Sequence, residues 1–317
     1  MRGGDAFFLL MKRIGIDLGG HTISAGPVDF SNERPRIISA RTVPTPEKRD
    51  LLSVTRALEE LILPWTAPGV ECSVGIGIPG FVDKERRRIL RLTNFSGCDG
   101  VYLGETISAD LRELGVKAVI RLENDANCAA LGEGAAGAAR GMSDYVVLTL
   151  GTGIGAGIVT NGRLLSGAHG MAAECGHMAV SGDPALSGCG CGGRGHLEES
   201  ASADWLERRA GLLGLPPVFR EIWERRRTDK NAADLLAPAL EALARGIASL
   251  AVTLDPEAVI LSGGMSLAAG LADELRERIE KYLPRPFRPV FILKNSELGG
   301  EAAVIGAASL GQEMCKR

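Results

Sequence analysis

RIGIDLGGHTISAGPVDF (13–30) alternates small and β-branched residues as far as Asp17, turns on Gly19 and Gly20, and alternates again from Thr22. That pattern is a strand, a tight turn and a returning strand. A glycine pair at such a turn lets backbone N–H groups approach phosphate oxygens with no Cβ in the way. Taken alone, a double glycine is more often a plain hairpin. Here Asp17 lies inside the turn, and an acid beside phosphate oxygens makes sense when a divalent cation, usually Mg²⁺, sits between them.

The pattern returns. YVVLTLGTGIGAGIVTNGRLLSG (145–167) is again strand, glycine turn and strand, and AVILSGGMS (258–266) ends a further strand on Gly263 and Gly264. None of the three turns is followed by the Gly-Lys-Ser/Thr of a P-loop, and none completes GxGxxG. Between them the spacing predicts strands over 35–45, 70–80 and 289–294, and helices over 51–62, 235–253, 272–283 and 302–314. Two halves that each open with the same hairpin imply a duplicated α/β unit, with a nucleotide in the cleft between them. The expected division is 12–122, completed by the C-terminal helix 302–317, and 123–301, which carries the later glycine turns.

The chain has 317 residues, 45% hydrophobic, and a formal net charge of −3. That is enough for one large domain or two medium ones, and it offers no electrostatic reason to bind nucleic acid. Seven cysteines without a regular framework fit a reduced, cytoplasmic chain. AFFLLM (6–11) is too short for a membrane span and lacks a signal peptide's basic front and cleavage site. Met11 is an alternative start.

ENDANCAALGEG (123–134) places Asn124 and Asp125 before an alanine-rich helical start. Both residues suit a helix N-cap. A carboxylate among phosphate turns also suits the acceptor of a proton from an attacking hydroxyl. In GCGCGGRGHLEE (188–199), Cys189, Cys191 and His196 invite a zinc ion, although the spacing is not that of a finger.

With IDLGGHT (16–22), GIGIPGFVD (75–83), ENDANCAALGEG, LTLGTGIGAGIV (148–159), Glu174–His177, CGCGGRGHLE (189–198) and VILSGG (259–264), the chain resembles the ROK family of sugar kinases and sugar-responsive repressors. The resemblance runs from Arg13 almost to the C-terminus. It implies the two-domain fold of the actin-like and hexokinase-like ATPases, built from duplicated ribonuclease H-like units around an active-site cleft. It further implies ATP and Mg²⁺ as cofactors, with Asp17, Gly19, Gly20, Thr152, Gly153, Gly263 and Gly264 on the nucleotide side. Asp125 becomes the general base. Gly80, Asn94, Asn124, Asp125, Glu174, His177 and Glu198 become the sugar contacts.

In the family three cysteines and a histidine bind a structural zinc. His177, Cys189 and Cys191 match, whereas His196 stands where the third cysteine belongs. Imidazole is a good zinc ligand, so the set becomes Cys2His2, with Cys175 as the competitor for the fourth position. His177 would bind zinc through one ring nitrogen and face the sugar with the other.

The text around Phe81 and Asn94 resembles the glucokinase branch, so glucose phosphorylated at its 6-hydroxyl is the expected reaction. N-acetylglucosamine is the runner-up, and fructose a further alternative. A sugar-sensing regulator is the non-enzymatic alternative; the twelve residues before Arg13 are too few for the helix-turn-helix such regulators carry. His21 departs from the family's threonine in the first turn. The family's habit implies a homodimer or homotetramer.

Overall fold

The hairpin that opens the sequence is the middle of the first sheet. The computed structural model describes residues 12–92, 95–181 and 191–311. Strands β1 (Lys12–Leu18) and β2 (Thr22–Asp29) pair antiparallel, Ile14 opposite Pro27 and Leu18 opposite Ile23. The segment read as one strand over 35–45 is two, β3 (Arg36–Ile37) and β4 (Arg41–Pro44), which pair with opposite ends of β2. Between them the chain leaves the ladder, and the Ser39 carbonyl passes 2.5 Å from where Gly26 would carry a Cβ.

Helix α1 (Leu51–Ile62) starts where Asp50 accepts the Ser53 N–H, and it buries Val54, Leu58 and Leu61 as their spacing predicts. Next come β5 (Glu71–Ile78), the small antiparallel pair β6 (Gly80–Val82) and β7 (Ile89–Leu92), helix α2 (Leu103–Glu113), strand β8 (Lys117–Asn124) and helix α3 (Asp125–Ala136). β5 lies parallel to β1, and β8 parallel to β5.

The second unit repeats the plan. β9 (Tyr145–Leu150) and β10 (Ile154–Thr160) form the hairpin, extended by β11 (Arg163–Leu164). Helices α4 (Glu198–Ala201), α5 (Ala203–Leu212), α6 (Phe219–Arg225) and α7 (Lys230–Leu254) follow, then β12 (Ala258–Ser262), α8 (Leu271–Ile279) and β13 (Leu293–Asn295). The strand orders β2-β1-β5-β8 and β10-β9-β12-β13 correspond: each hairpin is flanked, on its first strand's side, by two parallel strands. β13 is shorter than the strand expected over 289–294, because Val290 and Phe291 donate back to the Phe287 carbonyl and hold a turn. By length and composition α7 could cross a membrane, yet its apolar face, Leu236, Leu243 and Ile247 included, lies in this unit's core.

Helix α9 (Glu301–Ser309) returns to the first unit and sits on β1, β5 and α3 at backbone contact. A Cβ on Gly15 or Gly75 would lie 1.8 Å from the carbonyl oxygens of Val304 and Ala307, and one on Gly306 would lie 1.7 Å from that of Cys128. Among the described residues the first unit therefore comprises the chain up to Arg140, Ser166–Ala172 and the chain from Gly300, while Gly141–Leu165 and Ala173–Gly299 form the second. This corrects the boundary placed at 123. β8 is in register with β5, Ile78 opposite Asn124, and α3 is clamped by α9, so 123–140 cannot be separated from the first sheet.

Candidate active site

In the first unit the predicted residues gather at the carboxyl ends of three parallel strands, where open α/β sheets place their ligands. Asp17, Gly77 and Glu123 stand in one register row across β1, β5 and β8. The missing side chain of Gly77 lets the first turn of α3 come down over β5, with the Asp125 Cα 3.4 Å from where a Cβ would be. That approach brings Asp125 near enough to Asp17 for their charges to repel. Burial pushes the Asp17 carboxyl up to about 7, and repulsion from Asp125 adds to it. Burial also raises Asp125, to about 6, against the opposing pull of the Ala126 and Asp125 backbone N–H groups. The Asp17 carboxyl, pushed toward neutrality at the end of β1, is a fitting seat for a divalent cation, whose charge would relieve it.

Both Asn124 and Asp125 suit a helix N-cap, and the structure gives that position to Asn124. Asn124 is the N-cap: its side-chain oxygen accepts the N–H groups of Ala126 (2.9 Å) and Asn127 (3.1 Å). Its amide donates to the Gly80 carbonyl at 3.2 Å, so Gly80 acts by orienting Asn124. Asp125, the first helical residue, accepts the Ala126 N–H at 2.8 Å through one carboxylate oxygen. Gly19 closes the first turn by donating to Thr22, while Thr45 and Arg49 bind the carbonyls of Gly19 and Gly20. His21 is exposed at the turn. Asn94 lies outside the described residues.

Two residues that sequence reasoning left without a role support this corner. Glu123, only 4% exposed, accepts from the Asn124 N–H at 2.9 Å and the Asn127 amide at 3.0 Å, and pairs with Arg86 at 2.8 Å. Arg86 comes from KERRR, which reads as a solvated charge run; a left-handed backbone at φ 59° turns it inward. The one available signal was Asp83, whose carboxylate ties the turn by accepting the Arg87 and Arg88 N–H groups.

In the second unit the two remaining glycine turns adjoin. Thr149 and Ser262 are in register on β9 and β12, and Gly263, at φ +82°, lies so close that a Cβ would meet the Leu150 carbonyl at 2.5 Å. Gly151 donates to Gly153 across the first turn, Thr152 is exposed, and nothing lies within 4 Å of a Cβ built on Gly264. Glu198, expected as a sugar contact, reaches this turn: its Oε2 accepts the Ile154 N–H at 2.9 Å.

The zinc candidates converge in the same unit. His177 Nδ1 and His196 Nδ1 are 3.3 Å apart, and Cys191 Sγ lies 3.5 Å from His196 Nδ1. Around a tetrahedral zinc, two nitrogens would be about 3.3 Å apart and a nitrogen and a sulfur about 3.5 Å, so these donors fit the ion. His177 turns its other nitrogen, Nε2, toward Glu174 Oε2 at 3.9 Å. Cys175 is buried and, among the described residues, stands outside the cluster; Cys189 lies outside the described residues.

The ROK family model matches residues 13–314. The glucokinase of Thermotoga maritima is 36% identical over 96% of this chain and 98% of its own length. The N-acetyl-D-glucosamine kinase of Mannheimia succiniciproducens is 32% identical over 93% of this chain and 98% of its own. A ROK family glucokinase from Streptomyces griseus, solved in complex with glucose and AMPPNP, superposes with a TM-score of 0.78 at 33% identity, covering 95% of this chain and 99% of that one. The duplicated units are those of the two-domain, actin-like and hexokinase-like ATPase fold, and the chain belongs to the ROK family.

Proposed function

We propose that the protein is a hexokinase-type phosphotransferase that moves the γ-phosphoryl group of ATP to the 6-hydroxyl of glucose. The observation that carries this reading is Asp125, a carboxylate at the head of α3 with its pKa raised to about 6 and the capping task taken by Asn124. A base poised near neutrality suits deprotonation of an alcohol as it attacks phosphorus. Asp125 takes the hydroxyl proton while the sugar oxygen bonds to the γ-phosphorus and ADP leaves. Glu174, His177 and Glu198 are the proposed hydroxyl contacts. Gly19, Gly20, Thr152 and Gly153 are the proposed phosphate contacts, and Gly263 and Gly264 face the adenosine. Asp17 is the residue that would hold Mg²⁺, and the ion would supply charge neutralisation to the transferred group.

The glucokinases named above support glucose and a nucleotide donor, and the N-acetylglucosamine kinase supports the second reading. An ADP-release assay across a hexose panel separates them. Glucose is expected to give the higher kcat/KM. If N-acetylglucosamine does, the choice of sugar falls while the kinase reading stands. No ADP released with any hexose overturns the kinase.

His177, Cys191 and His196, with Cys189, are the proposed ligands of one structural zinc, a closed set that leaves no open position for substrate. Purified protein should hold about one zinc per chain. His196→Cys should keep it, since thiolate is an equally good ligand, and His196→Ala should lose it and weaken glucose binding. Full zinc content in His196→Ala would remove His196 from the set.

A further inference from the structure

The Ile154 peptide is held from both sides by segments assigned to the sugar. Its N–H donates to Glu198 Oε2 at 2.9 Å. Its carbonyl oxygen lies 2.0 Å from where Gly176 would carry a Cβ, and Gly176 separates Cys175 from His177 in the turn that also bears Glu174. Ile154 is also the residue after Gly153, the last glycine of the phosphate turn before β10. The fit at Gly153 is as close: a Cβ there would stand 2.4 Å from Glu198 Oε2. The turn is therefore shaped around this carboxylate, whose second oxygen, Oε1, has no hydrogen-bond partner among the described residues.

We propose that Glu198 is a shared brace between the two substrates. Oε2 holds the Gly151–Ile154 turn in its phosphate-binding form, and Oε1 is left to accept a sugar hydroxyl. A sugar that fixes the carboxylate then also fixes the turn, so sugar and nucleotide tighten each other's binding through one side chain, by the same factor in each direction. Glu198 is in this respect a positioning residue for the nucleotide. The inference rests on the kinase reading and deepens it. It also accounts for glycine at 153, where a side chain would push the brace off the turn.

The test uses the full-length protein, with exchange and nucleotide binding measured in the absence of sugar. Glu198→Ala should speed hydrogen exchange in the 151–154 turn and raise the Kd for Mg²⁺·AMPPNP about tenfold, the fold-change set by one lost charge-assisted hydrogen bond. Glu198→Gln keeps an acceptor oxygen and should stay within about threefold of wild type. Gly153→Ala retains Glu198 but displaces it, and should lower glucose affinity measured without nucleotide. Combined with Glu198→Ala, its effect on nucleotide binding should be less than the sum of the two. Unchanged exchange and unchanged AMPPNP affinity in Glu198→Ala, with glucose affinity lost, would reduce Glu198 to a sugar ligand and overturn the brace. Additive effects in the double variant, or normal glucose affinity in Gly153→Ala, would overturn it as well. The exchange measurement needs no substrate, so it decides the brace even if the hexose panel disproves the kinase.

Discussion

Asp125→Asn should lower kcat by about 10²–10⁴-fold while leaving the ligand-free protein more stable than wild type at neutral pH. Asparagine keeps the size of the side chain and an oxygen for the Ala126 N–H, but it cannot take the proton. The stability gain follows from the sign of the pKa shift. In the folded protein Asp125 titrates at about 6, above its ordinary 3.8, so the native state holds that proton more tightly than the unfolded chain does. As pH rises from about 4 to 6 the native state therefore loses ground, and above about 7 the full cost of the desolvated charge is present. Asparagine carries no charge and escapes it. Denaturant unfolding should show little difference between variant and wild type near pH 4 and a gain of about 1–2 kcal/mol at pH 8, tempered by the partial exposure of the group. Turnover within threefold of wild type would leave Asp125 as no more than a helix-start residue.

Much of this arrangement was legible because it is local. The three glycine turns announce themselves through alternation and the glycines that end it, and α1 through the spacing of Val54, Leu58 and Leu61. What escaped depends on contacts between distant segments. The boundary at 123 fell where the sequence ENDANCAALGEG turns to an alanine-rich helical start. Only the pairing of Ile78 with Asn124 and the clamp from α9 show that α3 belongs with what precedes it. Asn124 and Asp125 could each cap a helix; Asn124 holds the cap, and its amide is anchored by the Gly80 carbonyl, forty-four positions away. Arg86 was hidden for a different reason. A charge run says nothing of which member turns inward until the backbone twist at that residue is known.

Gly306→Ala should be the most damaging small change in the first unit, costing about 3 kcal/mol or more and lowering the melting temperature by several degrees. A methyl group there would stand 1.7 Å from the Cys128 carbonyl oxygen and 2.7 Å from the Gly132 nitrogen. Both obstacles are backbone, so no side chain can swing aside and the helices must separate. Because α3 starts with Asp125, the loss should reach turnover too, through displacement of the base. Glu301→Ala, exposed on the same helix, is the control and should change little. A melting temperature within 2 °C of wild type for Gly306→Ala would show that the helices tolerate a wider spacing than described.

The return of α9 to the first sheet also bears on how the chain can assemble. Gly15 and Val304 meet although far apart in the sequence, and the residues between them include the whole second unit. Joining such distant points in a loose chain carries an entropy that grows with the logarithm of the intervening length. If the second unit has already condensed, its residues no longer count as slack, and the free chain left between the two points is roughly halved. Each halving recovers about 0.6 kcal/mol, close to a threefold gain in the chance of meeting. The inserted unit thus serves as a scaffold in time: the last helix is seated sooner when the middle of the chain has finished first.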